Sequence, residues 1–232
     1  MVEEEVVVSV SLSLSLLGEL EIAQKRILQR ISALEQLLLL PHQQDNASTD
    51  TESRLSALLR DGGVRDFCFK RVPFDYYDRS IDARREILGA PTIHHLCKSI
   101  VMVNTQAPAS VNDCSDRNNS KYYVVVIQYT ARLNAENVKS FLYSLNNGKI
   151  PKKKFNMRLA PEEESLKLTG YEHNGVTCVG MKTDIPVILD EAIAKLEPDF
   201  FWLGGGEVDL KLGIRTSQFI NFVKPFIVEC ST

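Results

Sequence analysis

The chain of 232 residues contains no Cys-x-x-Cys pair; its five cysteines, Cys68, Cys97, Cys114, Cys178 and Cys230, are odd in number and scattered. That spacing argues against a zinc site or a thioredoxin-like redox centre and makes a reducing cytosol the simplest setting. There is no excess of positive charge. A formal net charge of −3 gives no overall attraction for nucleic acid, so an RNA contact has to come from a local basic patch. The apolar stretch at residues 6–17 lacks the basic segment that precedes a secretory signal, since Glu3, Glu4 and Glu5 stand there instead. Serines alternate through it, which makes it a poor membrane span. No targeting segment is read, and the expected location is cytoplasmic. Nor does any repeat recur at a fixed period. With 44% hydrophobic and 25% charged residues, the chain has the composition of a soluble globular protein and room for one sizeable domain plus an appendage.

Residues 16–40 read as a helix. Leu17, Leu20, Ile27, Ile31, Leu34 and Leu38 recur at alternating three- and four-residue steps once Gln24 is counted as a polar interruption, a coiled-coil-like seam. Packing on its own domain and self-association through a partner helix both satisfy that pattern. Pro41 stops the helix, and residues 42–51 form a polar linker. Thr49-Asp50-Thr51-Glu52 then resembles a capping box that opens a short helix to Leu59, closed by Asp61-Gly62-Gly63. The expected division is an N-terminal helical extension and linker over 1–50 and one domain over 51–232. Strand-like runs fall at 66–72, 99–103, 122–129, 186–189, 200–203, 208–214 and 226–229, with helical runs at 80–88, 134–145, 161–169, 190–196 and 216–223. The mixed order predicts an α/β fold. Residues 105–120, rich in Asn, Ser and Asp, read as a surface loop.

Several residues could carry chemistry. Strand alternation puts Lys98 on the face of Ile100 and Met102, where its ammonium could meet a phosphate or a developing oxyanion, or simply snorkel to water from the strand edge. Asn174, Gly175, Val176, Thr177 and Cys178 offer small or turn-tolerant residues whose backbone N–H groups could approach a substrate; an ordinary loop turn is the commonplace alternative. Asp190 follows an apolar run, as a helix N-cap does. Gly204, Gly205 and Gly206 suit a tight turn or a pocket wall. Cys178 could be a thiolate nucleophile with His173 or His94 as its base. His94, His95 and Cys97 resemble a fragment of a metal site, but adjacent histidines on a strand point to opposite faces and no second ligand pair has suitable spacing. Lys149, Lys152, Lys153, Lys154 and Arg158 form the one strong basic cluster, either RNA-contacting or a solvated loop.

The stretch from Gly170 to Asp190, read with Cys97-Lys98-Ser99-Ile100-Val101, Trp202-Leu203-Gly204-Gly205-Gly206 and Val208-Asp209-Leu210-Lys211-Leu212, resembles the YbaK/ProX family, the prolyl-tRNA synthetase insertion-domain family. The resemblance runs from about Val64 to the C-terminus. It implies a compact mixed, largely antiparallel sheet with surrounding helices, and the trans-acting hydrolysis of the ester of mischarged tRNA. Lys98 matches the family's essential lysine. Asn174 and Gly175 fall in the catalytic loop; Val176, Thr177, Cys178, Gly180, Asp190 and Gly205 fall on the substrate side. Lys152, Lys153 and Lys154 become candidates for tRNA phosphates. No cofactor or metal is implied. Aminoacyl-tRNA is the expected partner, with an aminoacyl-tRNA synthetase as a second candidate. The family loop is usually Gly-x-x-x-Pro, whereas this chain has Asn174 and Cys178 at those ends. Asparagine tolerates a left-handed turn, but a lost proline leaves Thr177 and Cys178 less constrained. A tRNA- or synthetase-binding member with little or no catalysis is the alternative expectation.

Overall fold

The computed structural model describes residues 50–232, together with Leu20, Gln24, Lys25, Ile27, Leu28, Arg30 and Ile31. The last seven are helical and exposed. The other seam positions and the capping Thr49 lie outside the described residues. The chain divides into two units, Met1–Ala47 and Ser48–Thr232, and the sheets, core and cavities belong to the second.

That unit runs α1 (Asp50–Asp61), β1 (Phe67–Arg71), α2 (Ile81–Leu88), β2 (Cys97–Asn104), β3 (Tyr122–Gln128), α3 (Ala135–Leu145), β4 (Met157–Leu159), α4 (Glu162–Thr169), β5 (Val187–Asp190), α5 (Glu191–Ala194), β6 (Phe201–Gly204), β7 (Leu210–Ile214), α6 (Thr216–Val223) and β8 (Phe226–Val228). Short 3-10 turns lie at Tyr76–Asp78, Ile93–His95 and Lys152–Lys154. The strands form two sheets rather than one. A five-stranded sheet has the order β4-β2-β3-β5-β8, and a three-stranded sheet the order β1-β7-β6. The smaller sheet is antiparallel throughout. The larger one is antiparallel around β2 and parallel around β5. The mixed α/β class expected from the sequence is the one observed.

Apolar patterning explains the layering. Every residue of β3 is buried, so its run of Tyr, Val and Ile serves both faces: Val124 and Val126 enter the core shared with β5, β6 and β7, while Tyr123, Val125 and Ile127 pack under α3. Strand β2 alternates likewise, with Val101 and Val103 on the first face and Ile100 and Met102 on the second. Helix α3 starts at Asn134, whose side chain accepts from the N–H groups of Glu136 and Asn137 at 3.1 and 3.2 Å. The loop between β2 and β3, read from composition as surface, is pinned by buried Cys114 and Ser120, with the Ser120 hydroxyl donating to Tyr122 O at 2.6 Å. Strand β4 escapes the sequence reading altogether. Its Met-Arg-Leu is too short for a period and is extended because it pairs with 102–104 of β2. Its shortness positions the site, because the outer edge of β2 from Lys98 to Ile100 has no β4 partner.

Candidate active site

A cavity of about 210 Å³ opens at that gap. Its walls are β2 from Lys98 to Val101, Tyr77 and Tyr129, Leu159 and Ala160 after β4, Glu162 and Ser165 on α4, His173, Asn174 and Val176 on the loop after α4, and Gly204 at the end of β6. Lys98 is half-buried, with Nζ 5.6 Å from the Tyr129 ring centroid. Asn174 lines the same cavity in a left-handed conformation, φ 65°, as its residue type allows. Lys98, Asn174 and Val176 therefore meet around one space.

The loop is held in place from the β6–β7 hairpin. Gly206 N–H donates to Gly175 O at 2.9 Å, and Gly204 lies so close beneath that an added Cβ would fall 2.3 Å from Val176 O. Only glycine permits that approach. Gly175 N–H donates to Glu172 O at 2.9 Å and is committed to its own turn, so the amide expected to serve a substrate at this position is already occupied. The N–H groups of Asn174 and Val176 have no acceptor among the described residues.

Other expected site residues sit elsewhere. Thr177, fully buried, does not line the cavity, and Cys178 and Gly180 face a separate depression toward Lys224. Cys178 is no nucleophile on this geometry: its thiol is pushed up to about 12 by burial, and its neighbour is the Ser99 hydroxyl at 3.8 Å, not a histidine. His173 pairs with Glu162 at 3.3 Å, and His94 Nδ1 lies 3.3 Å from the Thr130 hydroxyl. We expect an alkylating reagent at pH 7 to modify exposed Cys68 in the folded protein and to spare Cys178, read by peptide mass spectrometry. Preferential labelling of Cys178 would restore the nucleophile.

Asp190 ends β5 and caps α5. Its carboxylate accepts from Ala192 N–H at 3.0 Å and Cys230 N–H at 3.1 Å, and at 2% exposure it does not reach the cavity. The helix start and the C-terminal segment use its lone pairs, which corrects the expectation of a pocket-facing carboxylate; Glu162 is the carboxylate that lines the cavity. Gly205 closes the hairpin by donating to Leu210 O at 2.9 Å, and the neighbouring Gly204 is the pocket glycine instead. His94 and His95 occupy a 3-10 turn, not a strand; buried His95 bonds to the Thr92 hydroxyl at 2.9 Å and Pro198 O at 3.2 Å. Among the described residues no group of three or more His, Cys, Asp or Glu is placed to hold a metal. Lys152, Lys153 and Lys154 form an exposed turn outside the cavity.

Sequence reading missed Tyr77 and Lys211. Lys211 is 4% exposed, and burial lowers it to about 8. Its Nζ donates to the Tyr77 hydroxyl at 2.6 Å and to Val208 O at 2.8 Å, and Tyr77 donates to Asn174 O at 2.6 Å. The lysine alternates with Leu210 and Leu212 as a solvent-facing residue would, but it packs against the Tyr76 and Tyr77 rings before α2.

These features define an α/β domain with a lysine- and loop-lined cleft at a gap in its sheet edge. The family model for the aminoacyl-tRNA editing domain matches residues 80–222, which takes in every cavity residue except Tyr77, and the chain belongs to that family. Among solved structures the chain is similar to a protein proposed to be a trans-editing enzyme for prolyl-tRNA synthetase, at 18% identity and TM-score 0.60, covering 79% of this chain and 98% of that one. It is also similar to a hypothetical protein at 19% identity and TM-score 0.57, covering 77% and 99%. These likenesses concern the fold. No curated protein matches the chain by sequence. Among the described residues no helix is long and apolar enough to cross a membrane.

Proposed function

We propose that the chain is a freestanding aminoacyl-tRNA deacylase, acting in trans on the ester that links a wrongly attached amino acid to the 3′ adenosine of tRNA. The observation that carries this reading is that Lys98, Asn174 and Val176 line one cavity in an editing-domain chain. Lys98 orients the substrate. Water adds to the ester carbonyl carbon, and the oxyanion that forms meets the loop amides, of which Val176 N–H is the candidate donor. Collapse breaks the bond to the ribose oxygen, which takes a proton, giving free amino acid and deacylated tRNA. A substrate ribose hydroxyl could carry that proton. The mostly apolar walls select the amino acid by size, where binding alone discriminates weakly and a second sieve is useful.

For the tRNA itself, the surface beside the cavity supplies a cationic track. A depression of about 450 Å³ shares Leu159 with the cavity and carries Lys121 and Arg158. Its buried Asn104 donates to Lys154 O at 2.9 Å, tying the Lys152–Lys154 turn to its rim. The 3′ end then runs from the lysine turn past Arg158 into the cavity. Hydrolysis of one or a few members of a panel of mischarged tRNAs, with Arg158→Ala raising KM severalfold at nearly constant kcat and flattening the salt dependence, is the expected result. A folded protein that binds tRNA yet hydrolyses none of the panel would instead be the non-catalytic, tRNA- or synthetase-binding member.

A further inference from the structure

The stretch 174–178 has no proline to stiffen it, and its one left-handed residue, Asn174, is not a glycine. Its conformation is held from outside. Lys211 on β7 stands in register with Gly204 on β6, so the lysine and the glycine that admits the Val176 carbonyl share one face of the small sheet. From that face Nζ reaches the Tyr77 hydroxyl at 2.6 Å and Asn174 O at 3.5 Å, while Tyr77 donates to the same carbonyl at 2.6 Å. Two donors thus converge on one backbone oxygen.

We propose that Lys211 is a positioning residue for the cavity: acting directly and through Tyr77, its ammonium clamps the Asn174 carbonyl and so fixes the Asn174–Gly175 peptide plane, from which the chain enters the next peptide, the one that carries Val176 N–H and is held by Gly206. Burying an ammonium costs stability unless it is well partnered, and an apolar residue of like size is often as stable or more so. A lysine kept here is explained by what it aims. Its kinetic consequence rests on the deacylase reading; the clamp itself does not.

The charged groups around Lys211 come from several elements. Asp209, just before β7, favours the ammonium and is itself held by Arg71 of β1 at 2.6 Å, with Glu207 beside it on Arg71 at 2.9 Å. Arg84 of α2 opposes the ammonium. It lies over the rings of Tyr76, Tyr77 and Tyr129 at about 5.5 Å. Those phenols are raised by burial and stay neutral through the range in which Lys211 titrates. Lys70, cross-strand from Lys211, is exposed. Lys211 is therefore the group next to the loop that changes charge near pH 8.

The test follows the Asn174 carbonyl by ¹³C NMR from pH 6.5 to 9.5 in the wild type and in Lys211→Met, alongside deacylation kinetics and thermal unfolding. In the wild type the resonance should move with a midpoint near pH 8, and in Lys211→Met it should stay flat. The variant should unfold at the same temperature or higher at pH 7 yet lose at least about tenfold in kcat with KM little changed, as expected when geometry around the transition state is lost. The ratio of wild-type to variant kcat should narrow above pH 8. A flat wild-type carbonyl, or an identical titration in the variant, overturns the clamp. So does a folded variant with wild-type kcat. If the wild type hydrolyses no mischarged tRNA, the deacylase reading fails while the titration still decides the clamp.

Discussion

Lys98→Ala is expected to lower deacylation by about 100-fold or more while leaving the unfolding temperature within a degree or two of wild type. The magnitude is that of removing one preorganised electrostatic group from an acyl-transfer site. The small cost to stability follows from its surroundings, a half-buried position at an uncovered strand edge with the Tyr129 ring as its neighbour. Lys98 belongs to none of the buried core clusters and forms no ion pair with a carboxylate among the described residues. Single-turnover hydrolysis of a sensitive mischarged tRNA, with circular dichroism melts of both proteins, checks it. Full activity in the variant would remove Lys98 from the mechanism and with it the strongest link between cavity and reaction.

Gly204→Ala should damage the site from beneath. The new methyl would sit 2.3 Å from Val176 O and 3.1 Å from Gly175 O, both backbone atoms that cannot rotate aside as a side chain could. Overpacking of this kind costs about 2 kcal/mol, roughly 4–8 °C in a domain of this size, unless the loop moves off the hairpin. Either way the wall bearing Asn174 and Val176 is displaced, so hydrolysis should fall by well over tenfold. Gly89→Ala is the matching control. Its φ of 70° strains any other residue, by about 1–2 kcal/mol, but the added carbon meets nothing within 4 Å. That variant should melt lower and hydrolyse normally. Equal activity in both would show that the loop does not depend on the hairpin.

These two residues also mark how far the sequence could be read. Lys98 was singled out by the family resemblance, since strand alternation alone left it open between a site role and snorkelling to water. The strands and helices of the core were legible from local runs and caps, as the Tyr-Val-Ile run of β3 and the capped start of α3 show. Asn174 was legible as a left-handed turn, and Asp190 as an N-cap, since both are local effects. Roles set by distant pairings were not. Which glycine of Gly204-Gly205-Gly206 bounds the cavity depends on where the Val176 carbonyl arrives. Lys211 reads as a surface residue until Tyr76 and Tyr77 cover it. Strand β4 has no signature of its own.

The span recognised as the editing domain, residues 80–222, is smaller than the piece of chain that could be transplanted. It leaves behind β1, which closes the small sheet against β7, and β8, the edge partner of β5. It also leaves α1, whose Arg54 donates to Gly180 O at 3.1 Å and to the Tyr171 hydroxyl at 3.1 Å. A chimera cut at the recognised borders would carry the lysine and the loop but neither the tyrosine that clamps one end nor the helix that braces the other. A transplanted module that keeps these contacts begins at Asp50 and runs to Thr232, since Cys230 N–H holds the Asp190 carboxylate and Thr232 pairs with Arg132.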